Sequence, residues 1–233
     1  YEAINPHQIW LMVVLISSVS LAGYVALQLI GQRHGVILGL FGGLVSSTAT
    51  TLVYTRRTAE NQNFTQLAVV VILVANLTVL LRLSIISAVA SPAILPQLLP
   101  VLGSGFLLGA GIAAYWWFQL NQQQEVPMPE IKNPTEIRAA AAFGLIYGSV
   151  LFFSTWLSDI AGSSGLYAVA LVSGLTDVNA ITLSSLHLFE LGKLEATQAI
   201  TAITLAILSN IGFKLGLIFF IGSRFLARQC VSG

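Results

Sequence analysis

The sequence predicts an all-α integral membrane protein with about seven transmembrane helices in two parallel repeats. Three observations predict this class. Charged residues make up only 8% of the 233 residues and hydrophobic residues 56%, whereas a soluble domain carries about 25% charged residues. Several apolar stretches reach the roughly 20 residues that a bilayer span needs. Short motifs also recur in the same order in both halves of the chain, which indicates a duplication.

The first four spans form the predicted first repeat, residues 1–120. The first begins after Asn5-Pro6, and the second contains the glycine-rich segment that starts at Gly39. The third and fourth are separated by a tight, uncharged turn with Pro92 and Pro96. Their predicted bounds are 8–30, 35–55, 64–89 and 94–119.

A polar linker loop, 121–135, follows the fourth span, and its three prolines resist helix formation. The remaining spans form the second repeat, residues 136–233. The sixth span contains Asp177, and the seventh contains Asn210 and Lys214. Their predicted bounds are 136–159, 165–189 and 196–222. The second repeat is one span shorter than the first, so we expect that its fourth span either lies beyond Gly233 or has been lost.

Four collinear matches carry the repeat, at offsets of 128 to 134 residues. They pair Asn5-Pro6 with Asn133-Pro134, Gly43-Leu44 with Gly174-Leu175, Thr65-Gln66 with Thr197-Gln198, and Asn76-Leu77 with Asn210-Ile211. Because the offset corresponds to about four spans, the two copies should cross the bilayer in the same direction. This is the parallel class of transporter repeat.

Seven spans divide the basic residues unequally between the two sides of the membrane. Five share the side of the N-terminus and three lie on the other side, so the positive-inside rule places the N-terminal end in the cytoplasm. The five are Arg56, Arg57, Lys132, Arg138 and Lys193, and the three are Arg33, Arg224 and Arg228.

The second and sixth spans each contain glycine followed by hydroxyl, amide or carboxylate side chains. Glycine weakens a helix, and Ser, Thr, Asp and Asn accept bonds from the free N–H groups of a helix start. The pattern therefore predicts broken helices at mid-membrane, which build ion and substrate sites in transporters. For the second span, close helix packing through its small residues explains the pattern about equally well.

A charge at the bilayer centre costs about 2.5–3.5 kcal/mol, so the presence of Asp177 in an apolar span requires an explanation. Three interpretations of Asp177 are open. It can be a transport or gating site that binds a cation or carries a proton. It can form a structural ion pair with Lys214, which we expect to face the same interior space. It can also cap a restarted helix, and the last two roles are compatible with the first.

The predicted binding site combines the polar residues of spans two, three, six and seven. Asp177 would supply charge and is the candidate metal ligand, while Asn210 and Lys214 would orient it or balance its charge. An oxygen-rich set of this kind is compatible with a bound cation such as Mg²⁺, and we expect no other cofactor. The oxygen-bearing members are Asn179, Thr176, Thr182, Ser46, Ser47, Thr48, Thr51 and Asn76.

Four segments of the chain together resemble an uncharacterised polytopic domain that follows the MgtC/SapB-type membrane domain in bacterial proteins. These segments are NPHQIW, GLFGGLVSSTATT, SGLTDVNAITLS and SNIGFKLGL. The resemblance covers most of the chain. It implies the bacterial inner membrane and an MgtC/SapB-like portion before Tyr1. The family pattern often has a second acid where this chain has Asn179, so a two-carboxylate site is not expected.

The sequence thus predicts transport or channel function for a small ion or solute, with a divalent cation as one candidate. The alternative is a non-transporting membrane subunit or sensor that regulates a partner domain. We expect the lipid bilayer as partner, with homo-oligomerisation open and no nucleic acid, since the net charge is only +1. We expect no enzyme activity, because nucleophile-elbow, zinc-protease and P-loop motifs are absent from the sequence.

Overall fold

The computed structural model describes residues 6–30, 35–60, 65–119 and 137–222, and all regular elements within these ranges are α-helices. The predicted linker loop 121–135 lies wholly outside the described residues. So do Asn5 and Asn133-Pro134 of the repeat. Among the residues that set the orientation, Arg33, Lys132, Arg224 and Arg228 also lie outside them.

The described helices agree with a multi-pass membrane protein. Five of them contain a segment long and apolar enough to cross a bilayer, namely Ile37–Thr58, Thr65–Ala90, Leu95–Gln119, Leu145–Thr176 and Ala196–Ile221. The predicted count of seven spans remains a prediction. In chain order the helices are α1 (Pro6–Ile30), α2 (Gly35–Glu60), α3 (Thr65–Ala90), α4 (Leu95–Gln119), α5 (Ile137–Thr176), α6 (Val178–Glu190) and α7 (Ala196–Ile221).

The predicted boundary between the fifth and sixth spans coincides with a kink in α5. The predicted fifth span ends at residue 159 and the predicted sixth begins at residue 165, and between these bounds Gly162 has non-helical backbone angles that separate two helical segments of α5. Gly162 has φ 59° and ψ −143°, a conformation that glycine adopts without a Cβ clash. One glycine therefore reorients the chain between the two predicted spans.

Helix α6 is a short helix that is buried along most of its length. Its 13 residues span roughly 20 Å at 1.5 Å per residue, which is less than the bilayer core of about 30 Å. Each residue from Val178 to Leu188 is buried. The helix ends in a Schellman motif at Gly192 (φ 67°), in which the N–H of Lys193 donates to the carbonyl of Leu188 at 2.9 Å.

The described chain forms two compact units. The first unit contains α1 up to Ser18, Leu83–Leu102, and α5, α6 and α7 as far as Phe213. Its core includes Leu166, Ile181 and Leu186, and the Ser91 hydroxyl after α3 donates to Glu190 at the end of α6. The second unit contains the rest of α1, all of α2, α3 as far as Arg82, α4 from Gly103, and α7 from Lys214. The residues at its core are Tyr54, Leu67, Ala68, Val69, Val71, Ile72 and Ile218.

Candidate functional site

In the first unit, the helix is interrupted at Asp177, inside the segment where the sequence predicts a break. Asp177 has φ −151° and ψ 126°, an extended conformation between the last residue of α5 and the first of α6. Its Oδ1 accepts hydrogen bonds from the backbone N–H of Asn179 at 3.0 Å and from the Asn179 amide Nδ2 at 2.7 Å. Asp177 is therefore the N-cap of α6, and its charge lies at the positive end of that helix.

The last turn of α5 is held by side chains from its own end and from α7. Thr176 is exposed, and its hydroxyl donates to the carbonyl of Ser173 at 3.1 Å. The Asn210 amide on α7 donates to the carbonyl of Gly174 at 2.8 Å. A Cβ on Gly174 would lie 2.5 Å from the carbonyl oxygen of Ala206. The glycine thus lets α5 approach α7 closely enough for Asn210 to bind a carbonyl beside the break.

In the second unit, α2 is interrupted at Ser46, again inside a segment where the sequence predicts a break. Ser46 has φ −162° and ψ 105° within an otherwise helical segment. Its hydroxyl oxygen accepts from the N–H of Ala49 at 3.2 Å, and its carbonyl accepts from the Thr50 hydroxyl at 2.9 Å. Ser46 therefore caps the second half of α2 as Asp177 caps α6, but without a charge.

Close helix packing also occurs in this span, so the two sequence interpretations of α2 are compatible. A Cβ on Gly43 would lie 2.7 Å from both the Cα and the carbonyl oxygen of Ala75 on α3. A Cβ on Gly39 would lie 2.8 Å from the carbonyl oxygen of Val71. The glycines serve the contact between α2 and α3, while the serines that follow them form the break.

Lys214 binds neutral oxygens within the second unit. It is 3% exposed, and its Nζ donates to Ser47 Oγ at 2.8 Å and to Asn76 Oδ1 at 2.9 Å. The Asn76 amide in turn donates to the carbonyl of Ile72 at 2.8 Å, which fixes the amide orientation. Three predicted site residues from α2, α3 and α7 are thus joined by hydrogen bonds. The predicted relation of Lys214 to Asp177 remains a prediction.

Arg82 is a residue of this region that the sequence-based site omits. It is 5% exposed, and its guanidinium donates to the carbonyl of Leu44 at 3.0 Å. That carbonyl lies two residues before the break at Ser46, as the Gly174 carbonyl lies three before Asp177. The available signal was a basic residue well inside an apolar span, which needs an interior partner.

The remaining predicted residues differ in burial and in hydrogen bonding. Thr48 is half-buried, whereas Thr51 and Thr182 are fully buried and Asn179 is 5% exposed. Within the described part of the chain, Thr51 Oγ1, Asn179 Oδ1 and Thr182 Oγ1 have no hydrogen-bond partner. Among the same residues, no group of three or more His, Cys, Asp or Glu side chains could hold a metal ion. A cation in the first unit would therefore be held mainly by neutral oxygens around one carboxylate.

Comparison with known proteins places this chain in an uncharacterised family. The family described as "Domain of unknown function (DUF4010)" matches residues 14–222. An uncharacterized protein of Aquifex aeolicus (strain VF5) is 29% identical over 195 residues, which cover 83% of this chain and 85% of that protein. No solved structure matches the chain. The resemblance to an uncharacterised membrane domain agrees with these matches, and its link to MgtC/SapB-type domains stays a prediction.

Proposed function

We propose that this chain, which belongs to the DUF4010 family of unknown function, is a membrane transport or channel protein for a small ion or solute. The observation that carries the proposal is the break at Asp177. A carboxylate there interrupts a helix between Thr176 and the buried start of α6. The site would lie near the bilayer midplane of the inner membrane, with the N-terminal end of the chain in the cytoplasm.

The energetic cost of such a break supports a functional role. An ionised group at the bilayer centre costs about 2.5–3.5 kcal/mol, and continuous apolar helix would avoid this cost. Irregular backbone at this depth is tolerated where protein or a water-filled cavity surrounds it. In secondary transporters, interrupted helices present their ends and freed carbonyls to the transported species. The breaks at Asp177 and Ser46 would supply two such helix ends.

The residues would divide the work by chemical type. Asp177 would attract a cation, and Asn179 and Thr182 would offer neutral oxygens on the helix that it caps. Asn210 would position the end of α5 through its bond to Gly174. In the second unit, Ser46, Thr48 and Thr51 would supply oxygens, while Lys214 is positioned by Ser47 and Asn76. A divalent cation such as Mg²⁺ belongs in the substrate panel because it prefers oxygen ligands.

A duplicated architecture is part of the proposal. Helix α3 runs from Thr65 to Ala90 and α7 from Ala196 to Ile221, so both bounds differ by 131 positions (196 minus 65). The same separation relates the break at Ser46 to the break at Asp177. It also relates the Gly43–Ala75 approach to the Gly174–Ala206 approach. Four helices and then three would form two parallel copies.

Reconstituted flux tests the proposal. Purified protein in liposomes is assayed against Na⁺, K⁺, Mg²⁺, Ca²⁺, chloride and phosphate, with wild type beside Asp177→Asn. We expect wild type to move at least one of them and Asp177→Asn to move it at least about tenfold more slowly, equivalent to about 1.4 kcal/mol. Asp159→Asn is the matched control, because Asp159 is an exposed acid on α5, and it should retain wild-type flux.

Two results contradict the proposal. One is a wild-type protein that moves none of the panel, and the other is equal flux in wild type and Asp177→Asn. The first result would favour the alternative from the sequence, a non-transporting subunit or sensor that regulates a partner.

A further inference from the structure

Several hydroxyl groups inside the helices of this protein bond to the backbone of the preceding turn. Bonds of this kind satisfy a polar group without any partner helix. They are made to the carbonyl four residues earlier by Thr50, Thr78, Thr155, Ser184, Thr201 and Thr204. A buried hydroxyl that does not make this bond therefore needs a separate explanation.

Three oxygens on α6 depart from this behaviour. Asn179 Oδ1, Thr182 Oγ1 and Ser185 Oγ have no hydrogen-bond partner among the described residues. Asn179 is 5% exposed, and Thr182 and Ser185 are 0% exposed. Residues three apart are neighbours on a helix surface, so the three oxygens follow one another along α6. We call these three residues the oxygen stripe.

Burial on its own does not explain the oxygen stripe. Ser184 is adjacent to Ser185 and equally buried, yet its hydroxyl donates to the carbonyl of Ala180 at 2.9 Å. An unsatisfied buried polar group costs about 1–3 kcal/mol, and three of them on one short helix are a substantial cost. A ligand that binds these oxygens would offset that cost.

The orientation of the Asn179 amide indicates a cationic ligand. Its Nδ2 donates to Asp177 Oδ1 at 2.7 Å, so the hydrogen-bond pattern assigns the other end of the amide as the carbonyl oxygen. This oxygen can only accept a hydrogen bond or bind a cation. The carboxylate of Asp177 lies two residues away and would repel an anion. The carboxylate also offsets the positive end of α6, which would otherwise disfavour a cation.

The balance of charge favours a monovalent cation. Asp177 contributes one negative charge, and the oxygen stripe contributes none. Mg²⁺ usually keeps several of its waters and binds one or two carboxylates, and Ca²⁺ takes six to eight oxygen ligands. The one carboxylate and three neutral oxygens found here match a singly charged ion more closely.

A similar feature follows the other break. Thr51 lies five residues after Ser46, as Thr182 lies five residues after Asp177. Both threonine hydroxyls are 0% exposed and have no partner among the described residues. The neighbouring Thr50, in contrast, donates to the carbonyl of Ser46. An unpartnered threonine at this distance from a break is therefore found in each unit.

We propose that the oxygen stripe, together with the Asp177 carboxylate, binds a monovalent cation such as Na⁺ or K⁺. This inference rests on the proposed function and narrows its substrate to a class of ion. Six residues of helix rise about 9 Å, so Asn179 Oδ1 and Thr182 Oγ1 replace part of the hydration shell of an ion beside Asp177, and Thr182 Oγ1 and Ser185 Oγ do so one turn further along α6. Asp177 balances its charge and, through its two bonds to Asn179, keeps the amide oxygen in position.

Ligand-dependent thermal unfolding of the full chain in detergent tests the site. Unfolding is followed in NaCl or KCl, in N-methyl-glucamine chloride of equal ionic strength, and in MgCl₂. A ligand that binds only the folded state raises the Tm with its concentration. We expect Na⁺ or K⁺ to raise the Tm of wild type relative to N-methyl-glucamine, and Mg²⁺ to give no such increase.

Single substitutions test whether the oxygens of the stripe bind the cation, or whether any hydroxyl on α6 has the same effect. Thr182→Val and Ser185→Ala should each raise the half-saturating cation concentration at least about tenfold, the equivalent of about one lost oxygen contact. Ser184→Ala removes a satisfied hydroxyl beside them and should leave the half-saturating concentration unchanged. Replacing an unpartnered hydroxyl by an apolar group is close to neutral for folding, so the variants should fold. Equilibrium binding of ²²Na⁺ and ⁸⁶Rb⁺ to wild type is a second measurement that needs no variant.

The binding and flux measurements together decide between the inference and the proposed function. The inference is overturned if no monovalent cation binds, if Mg²⁺ alone raises the Tm, or if Ser184→Ala weakens binding as much as Ser185→Ala. Flux of a divalent ion or an uncharged solute, without monovalent binding, would overturn the inference and leave the proposed function in place. Monovalent binding that Thr182→Val weakens, in a protein without flux, would support the inference and contradict the proposed function.

Discussion

Lys214 shows how one buried ammonium can organise polar groups from three helices. It reaches Ser47 on α2 and Asn76 on α3 from its position on α7, with bonds of 2.8 and 2.9 Å. The donor is an ammonium and both acceptors are neutral, so each bond is a charge-assisted hydrogen bond rather than an ion pair. Such bonds contribute about 1.5–3 kcal/mol when the ionised partner is buried. The Lys214 cluster is therefore a stability element as well as part of the candidate site.

Asn76→Ala tests this contribution. We expect it to lower the free energy of unfolding by about 2 kcal/mol, because the buried ammonium loses one of its acceptors. Denaturant unfolding in detergent micelles measures the change. The same substitution in a Lys214→Met background is the matched control, and there it should cost at least about 1 kcal/mol less. Equal costs in both backgrounds would show that the bond between the two side chains contributes nothing.

At the scale of the helices, the breaks were predictable and their bonding partners were not. Glycine followed by Ser, Thr or Asp identified the segments that contain Ser46 and Asp177, because capping chemistry is local in sequence. The bond from Arg82 to Leu44 joins residues 38 positions apart, and that from Asn210 to Gly174 joins residues 36 positions apart. Such contacts depend on how the helices pack against one another, and the pairing of distant residues cannot be read from the pattern of a single sequence.

Helix α7 also shows that the sequence predicts a shared helical face but not the hydrogen-bond partners of the residues on it. Asn210 and Lys214 are four residues apart, and the sequence correctly places them on one helical face. They nevertheless bond to different elements, Asn210 to the end of α5 and Lys214 to α2 and α3. The periodicity of the helix predicts the face, but the partners depend on the tertiary packing. The change of direction at Gly162, in contrast, falls between the bounds predicted for the fifth and sixth spans.

Gly174→Ala tests the close approach of α5 to α7. The new Cβ would lie 2.5 Å from the Ala206 carbonyl oxygen and 2.7 Å from its Cα, and backbone cannot move aside cheaply. We expect the free energy of unfolding to fall by about 1–3 kcal/mol, the usual cost of overpacking. Thermal or denaturant unfolding in detergent measures it.

Gly212→Ala on α7 is the matched control for that prediction. A Cβ at Gly212 meets no atom within 4 Å, and alanine is the better helix former by about 1 kcal/mol. The variant should be as stable as wild type or more stable. A Gly174→Ala protein that also matches wild type would contradict the close approach.

For the whole molecule, the composition predicted a membrane protein, because the surface composition of a protein depends on whether it contacts water or lipid. With 8% charged residues, the chain cannot cover a soluble surface with polar groups. Large apolar side chains such as Leu107, Leu108 and Phe220 are more than 70% exposed in the described structure. In a bilayer these side chains would contact lipid.

Membrane fractionation tests this at the scale of the molecule. We expect the protein to stay in the membrane pellet after extraction with alkaline carbonate or high salt, and to be released by detergent. A peripheral membrane protein of known behaviour in the same preparation is the control and should be released by carbonate. Release of this protein along with the control would contradict its assignment as an integral membrane protein.

The central claim is that a solute from water reaches the oxygens beside the Asp177 break, and cysteine accessibility tests it most directly. The only native cysteine, Cys230, is replaced by serine, and Thr182→Cys and Ser184→Cys are compared with a small, membrane-impermeant thiol reagent. The account predicts that Cys at position 182 is labelled, that Na⁺ or K⁺ slows its labelling at concentrations high enough to offset the loss of the Thr182 oxygen, and that Cys at position 184 stays unlabelled. Equal labelling at the two positions, or none at position 182 with or without the ion, would contradict it.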